Sequence, residues 1–325
     1  MTKDNKKRRK IALIPLFFSF VLLITTTYAW FSANRVVSIE TLDVHVQAEG
    51  GIEVSTDAND WKQVVTVQDI TNASKSYPSS VNQIPYRVYP VSSGGTITGG
   101  YLNLYKGEAT NDKSTDFILT ATKSNETSSF GENSDGAFIV FDLFFKTSSE
   151  KKLYLSSNSK VEYTGDKQSG IENATRIAFL NEGSSSSSGG AQGLKGASEA
   201  VIWEPNYDVH TEYGVSNASK TYGINTSTAG ASPIAYDGVI SEISTSNSVL
   251  IQNAKASTYP AFFKSVNVKA YTQKNNTQNV ELLTMSPSIT KVRIYMWIEG
   301  QDVDCENNAS YGDISYNLEF TTNPS

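Results

Sequence analysis

The chain has 325 residues, 38% of them hydrophobic, one cysteine (Cys305), and 27 basic against 33 acidic side chains, a net charge of −6. A lone cysteine excludes an internal disulfide and a four-cysteine zinc site, so stability has to come from a packed core, for which this length suffices. The excess of acid argues against nucleic acid and anionic lipid as partners and favours divalent cations or basic proteins.

The first element in the chain is an export signal. Lys3, Lys6, Lys7, Arg8, Arg9 and Lys10 make residues 1–10 a basic flank that the charge rule keeps in the cytoplasm. Residues 11–29 carry no charge and include Leu13, Phe17, Phe18, Val21, Leu22, Leu23 and Ile24. As a helix such a run spans about 28 Å, just under the ~30 Å of bilayer hydrocarbon. It therefore reads as a signal peptide or as a transmembrane helix. The ending Thr27-Tyr28-Ala29 puts small residues where a signal peptidase reads them, which predicts a cut between Ala29 and Trp30; an uncut helix would tether the chain instead. In both cases residues 30–325 are expected outside the cytoplasmic membrane, extracellular or at the cell surface. Without residues 1–29 the chain keeps 21 basic and 32 acidic side chains, a net of −11.

Beyond residue 35 the apolar residues recur with a period of two, the spacing of a half-buried strand. Leu42, Val44, Val46 and Ala48 share one side of 41–49; Ile139, Phe141, Leu143 and Phe145 share one side of 138–146, with Asp142 and Lys146 opposite. Val292, Ile294, Met296 and Ile298 do the same in 291–299. Further strands are predicted at 51–56, 62–68, 84–90, 96–106, 115–123, 151–156, 174–181, 199–203, 248–252, 262–272, 279–284 and 313–321. Gly94-Gly95, Gly99-Gly100, Asp135-Gly136 and Gly189-Gly190 punctuate them. Many strands, frequent turns and no long amphipathic helix predict an all-β fold, an antiparallel sandwich of the jelly-roll type.

Two polar stretches interrupt this pattern. Residues 183–193, with five consecutive serines, read as a flexible loop inside one domain, or else as a linker between two. Residues 204–247 read as a loop-rich insertion, a place for a recognition surface.

The segment Thr27-Tyr28-Ala29-Trp30-Phe31, followed by a strand over 39–48, resembles the export signals of the TasA/camelysin group of Gram-positive bacteria. Residues 176–180, 202–206 and 298–305 also look like blocks of exported relatives with that signal type. The resemblance covers roughly the first fifty residues and these short blocks. It implies a secreted jelly-roll subunit of the biofilm matrix or cell surface, released by a dedicated signal peptidase. It also implies self-association into fibres, in which the freed N-terminal segment completes the sheet of the next subunit. Leu42, Val44, Val46 and Ala48 would mark that assembly strand, whose alternative is to pair within its own chain.

Candidate sites are few. Asp302, Asp304 and Glu306 alternate as at the start of a calcium loop, which makes calcium the one candidate cofactor. Asn307 stands where that loop needs glycine and Asp313 where it needs glutamate, so a solvated turn competes with the reading. Cys305, in the same turn, reads as a small buried hydrophobe. His210 shares a strand face with Asp208 and Glu212, but the only other histidine is His45 and no His-Glu-x-x-His occurs, so His210 reads as a surface residue. Neither Gly-x-Ser-x-Gly nor a phosphate loop is present, and no enzyme is expected. Tyr295 and Trp297 would stack on wall or matrix polysaccharide if exposed, or fill a core if a second layer covers them. The expected function is that of an exported, non-catalytic structural or assembly protein. The alternative is a membrane-tethered adhesin or carbohydrate-binding module, and a metal-dependent hydrolase comes third.

Overall fold

The computed structural model describes residues 37–46, 51–111, 117–124, 126, 135–163, 170–216, 248–254, 269–300, 302, 304–305 and 313–324. Residues 1–29, read above as an export signal, with the expected cut between Ala29 and Trp30, as well as Ala48, Glu306 and 217–247, lie outside the described residues. Among the described residues no helix is long and apolar enough to cross a membrane.

The fold is all-β, as the two-residue period predicts, and its strands form three sheets. The first runs in the order β16 (Val280–Met285), β10 (Lys151–Leu155), β18 (Asp313–Thr321), β1 (Val37–Val46), β4 (Arg87–Val88) and β8 (Asp135–Gly136). In it β11 (Lys160–Tyr163) also pairs with β18, and β3 (Val64–Thr66) with β1. The second runs β15 (Ala270–Tyr271), β13 (Ala200–Glu204), β12 (Thr175–Ser185), β17 (Ile289–Ile298), β9 (Ile139–Lys146) and β2 (Glu53–Ser55). The third runs β14 (Ser248–Ala254), β7 (Phe117–Ser124), β6 (Tyr101–Asn111) and β5 (Ser92–Thr98), the last two joined through Gly99-Gly100.

Most neighbours are antiparallel, as expected, and three pairs, β1–β18, β13–β15 and β4–β8, are parallel. No hairpin links β1 to β18, the first and last described strands, so nothing local imposes the antiparallel direction on them.

The first two sheets pack face to face. Ile139, Phe141, Leu143 and Phe145 of β9 and Val292, Ile294, Met296 and Ile298 of β17 meet Leu153, Leu155, Tyr316, Leu318 and Phe320 of the first sheet. Phe320 is edge-on to Phe145 at 5.2 Å and to Phe179 at 6.0 Å. Full burial of each such side chain contributes roughly 1.5–3 kcal/mol, and this layer is the main apolar core.

The opposite face of the second sheet is covered as well. Val140, Ala178, Leu180, Ile202, Tyr295 and Trp297 lie under Val91, Leu102 and Leu104, and Phe144 lies under Ala58, Tyr77 and Ala191. Of the two readings of Tyr295 and Trp297, filling a covered core is the one the structure shows: they are 0% and 1% exposed.

The serine-rich stretch is part of this cover, which corrects its reading as a flexible loop. Gly183–Ser185 finish β12, and Ser188–Gln192 form a short helix whose Ala191 is buried. Its N-cap, Ser187, accepts the Gly190 N–H at 3.2 Å, and Ser188 Oγ donates to the Ala58 carbonyl at 2.7 Å. Small polar residues serve here because each hydroxyl replaces a backbone partner at a tight turn. The predicted strand 62–68 likewise ends early, at Thr66, which starts a helix over Val67–Asn72 in a capping box with Asp69.

Candidate functional site

Three segments distant in sequence meet at one end of the second sheet. Arg176, near the start of β12, faces the same side as Trp297, its partner on β17. Its Nη2 lies 2.8 Å from Glu204 Oε1 at the end of β13 and 2.8 Å from Asp302 Oδ2 beyond β17. Its Nη1 donates to the carbonyls of Asn173 at 2.9 Å and Thr175 at 3.0 Å. Asp304 joins from the same turn, its N–H donating to Asp302 Oδ1 at 2.9 Å. Asp304 Oδ1 accepts Thr211 N–H at 2.9 Å and Thr211 Oγ1 at 2.7 Å, while Oδ2 accepts Asn173 Nδ2 at 3.1 Å and lies 3.2 Å from His210 Nδ1.

Every charged member of this cluster is buried. Charges taken out of water are tolerated only when paired and hydrogen-bonded, so the cluster fixes where these segments sit. Burial pushes Asp302 up to about 6, against the pull of Arg176. Burial alone would lower the His210 pKa; its contact with Asp304, reinforced by Asp302, overrides this and raises it.

The structure thus brings together two of the three residues expected to hold calcium, but not in a solvated loop, and adds His210 to them. The expectation of a surface His210 is corrected: it is 5% exposed, and its company is Asp302 and Asp304. Asp208 instead accepts the Lys274 N–H at 3.0 Å, and Glu212 is exposed, because the chain leaves its strand spacing at a helical turn over 212–216. Cys305 is buried, as expected. The charged partners Arg176 and Glu204 were missed as site residues, and their signal was a charge inside a run that otherwise reads as buried strand. Gly170 lets the segments close up: its φ is +64°, and a Cβ there would stand 2.4 Å from Thr211 Cγ2 and 3.1 Å from Asp304 Cγ.

A second buried network lies on the same sheet face. Arg293 Nε and Nη2 donate to the two oxygens of Asp142 at 2.8 and 3.1 Å, and Lys291 Nζ is 3.3 Å from Oδ2. Lys291 also donates to Tyr77 Oη at 2.9 Å and to the carbonyls of Gln192 and Leu194 at 3.1 and 3.0 Å. Burial would raise Asp142, but the Arg293 guanidinium holds it below the usual carboxylate range. Next to it Glu126 accepts the Tyr295 hydroxyl, and burial pushes Glu126 up to about 8. A cavity of about 270 Å³ opens over Glu126, with Tyr101, Leu102 and Lys123 in its wall.

The third feature is a seam. β1 pairs in parallel with β18 from Ser38↔Asp313 to Val46↔Phe320, shifting register between Ile39 and Thr41, and its other edge pairs with β3 and β4. The register sets Leu42, Val44 and Val46 opposite Tyr316, Leu318 and Phe320. β1 is therefore an interior strand of the first sheet, and within its own chain it fills the slot between β18 on one side and β3 and β4 on the other.

No family model matches this chain, and neither a curated protein nor a solved structure matches it.

Proposed function

We propose that this chain is an exported, non-catalytic structural or assembly protein of the cell surface or matrix, delivered by residues 1–29 and polymerising by exchange of β1. In this reading the subunit is of the jelly-roll type. The observation that carries the proposal is the position of β1: a strand near one end of the chain occupies an interior slot that splits the first sheet when empty. A vacated slot presents unpaired backbone along β18 and β3, and β1 of another copy fills it with the same bonds. Gly51, beyond the strand, has φ +73° and gives the chain a hinge there.

The test is to purify the exported protein, read its N-terminus, and image it by electron microscopy at rising concentration. A start at Trp30 with filaments that disappear when a peptide of residues 37–46 is added in excess is the expected result. Monomers at every concentration, or filaments indifferent to the peptide, would overturn the assembly reading. An alternative, a carbohydrate-binding module, draws on Tyr101 at the cavity over Glu126; glycan-array binding lost in Tyr101→Ala would favour it.

A further inference from the structure

We infer that His210, Asp302 and Asp304 form a site for one divalent transition-metal ion, zinc being the closest chemical fit, which staples three segments of the fold together.

One ligand atom from each of the three residues lies within 4.8 Å of the other two, and all three side chains are buried. His210 Nδ1 and Asp304 Oδ2 are 3.2 Å apart. A charge-assisted N–H···O bond is shorter, about 2.7–2.9 Å. Two ligand atoms on one zinc, each about 2.0–2.1 Å from it in tetrahedral array, stand roughly 3.3 Å apart. The spacing suits a shared ion better than a tight Asp–His pair.

Hydrogen bonding inside the cluster also leaves a polar atom unmet. Asn173 Oδ1 is buried without a hydrogen-bond partner, in a residue only 3% exposed. Leaving such an atom unpaired costs about 1–3 kcal/mol. Asn173 already places its amide against Asp304 Oδ2. Half a turn about the last side-chain bond exchanges nitrogen for oxygen there and offers the ion a further neutral ligand.

The donor set points the same way: two buried carboxylates stand beside one imidazole, a combination that attracts a divalent ion. The imidazole selects its type: hard calcium and magnesium take oxygen ligands, whereas imidazole with carboxylate suits zinc and its neighbours. The ion would join Asn173 before β12, His210 after β13 and Asp302 and Asp304 after β17, in a chain with no disulfide to do so.

The experiment uses the full chain purified in mild detergent, stripped with chelator and dialysed against zinc or calcium. Metal content by mass spectrometry should read one zinc per chain and no calcium. With free zinc at a hundred times its Kd, the unfolding constant should fall about a hundredfold. His210→Gln, which can still donate to Asp304, should lose both effects. X-ray absorption at the zinc edge of the wild type should show nitrogen and oxygen neighbours with one imidazole and no sulfur, which separates this site from one using Cys305. Absence of bound zinc, zinc without stabilisation, sulfur in the coordination shell, or a His210→Gln protein that binds as tightly as wild type would each overturn the inference. If His210→Gln does not fold, the wild-type metal content, unfolding and absorption data decide.

Discussion

Asp142 illustrates how single residues are held. It contacts Arg293, Lys291 and Tyr77 at 0% exposure, so its replacement by Asn leaves two cations buried against a neutral amide. Loss of one partner from a buried ion cluster costs about 3–5 kcal/mol. Asp142→Asn should lower the urea midpoint accordingly with an unchanged slope. Glu126 behaves in the opposite sense with pH. Its pKa in the folded chain, pushed up to about 8, exceeds the ordinary value of 4.5, so the folded state holds the proton more tightly. Its contribution to stability is complete below about pH 4.5 and is lost as pH rises through about 8. Thermal unfolding at pH 5 and pH 9 should show a fall in Tm that is smaller in Glu126→Gln by several degrees. The alternation of β9 already marked Asp142 as lying opposite Ile139 and Phe141. What it left open was the surroundings: a polar residue on the far face reads as solvated unless something covers it, and here Tyr77 and the 188–192 helix do.

Among the elements, the legible ones were those whose own side chains decide them. β9, β17 and β18 fall within two residues of their predicted bounds, since a run of alternating large apolar residues suits few other conformations. The 188–192 helix and the end of β12 were misread because glycine and serine report flexibility when isolated and order when their hydroxyls and amides find partners. The same holds at Thr66, where the capping box with Asp69 overrode a β-branched run. Thr66→Ala should cost about 1 kcal/mol of stability by removing that cap, measurable by chemical denaturation. Gly170→Ala should cost more, since its Cβ meets Thr211 and Asp304 at a positive φ. The sharper loss should fall on amide-exchange protection at Thr211, whose N–H is donated to Asp304.

At the level of the molecule, the sandwich could be read from the periodicity of its strands, but its third layer could not. Alternation tells which residues share a face, not how many faces are covered. The cluster around Arg176 was hidden for a related reason: its members are as much as 131 residues apart, and no local spacing links them. The position of β1 yields a prediction at this scale. Val44 pairs with Leu318 on one side and Val65 on the other, so Val44→Pro removes a ladder donor from an interior strand. The variant should fail to assemble and should show an added protease cleavage in 37–46.

The parallel run of β1 beside β18 also determines how the molecule meets mechanical force. Tension applied ahead of Ser38 and behind Thr321 pulls the two strands lengthwise in opposite directions, because those points lie at opposite ends of their shared ladder. The evenly spaced bonds of a parallel pair then share the strain together instead of unzipping one by one. A protein anchored at its front end and dragged from its back end would hold like a lap joint.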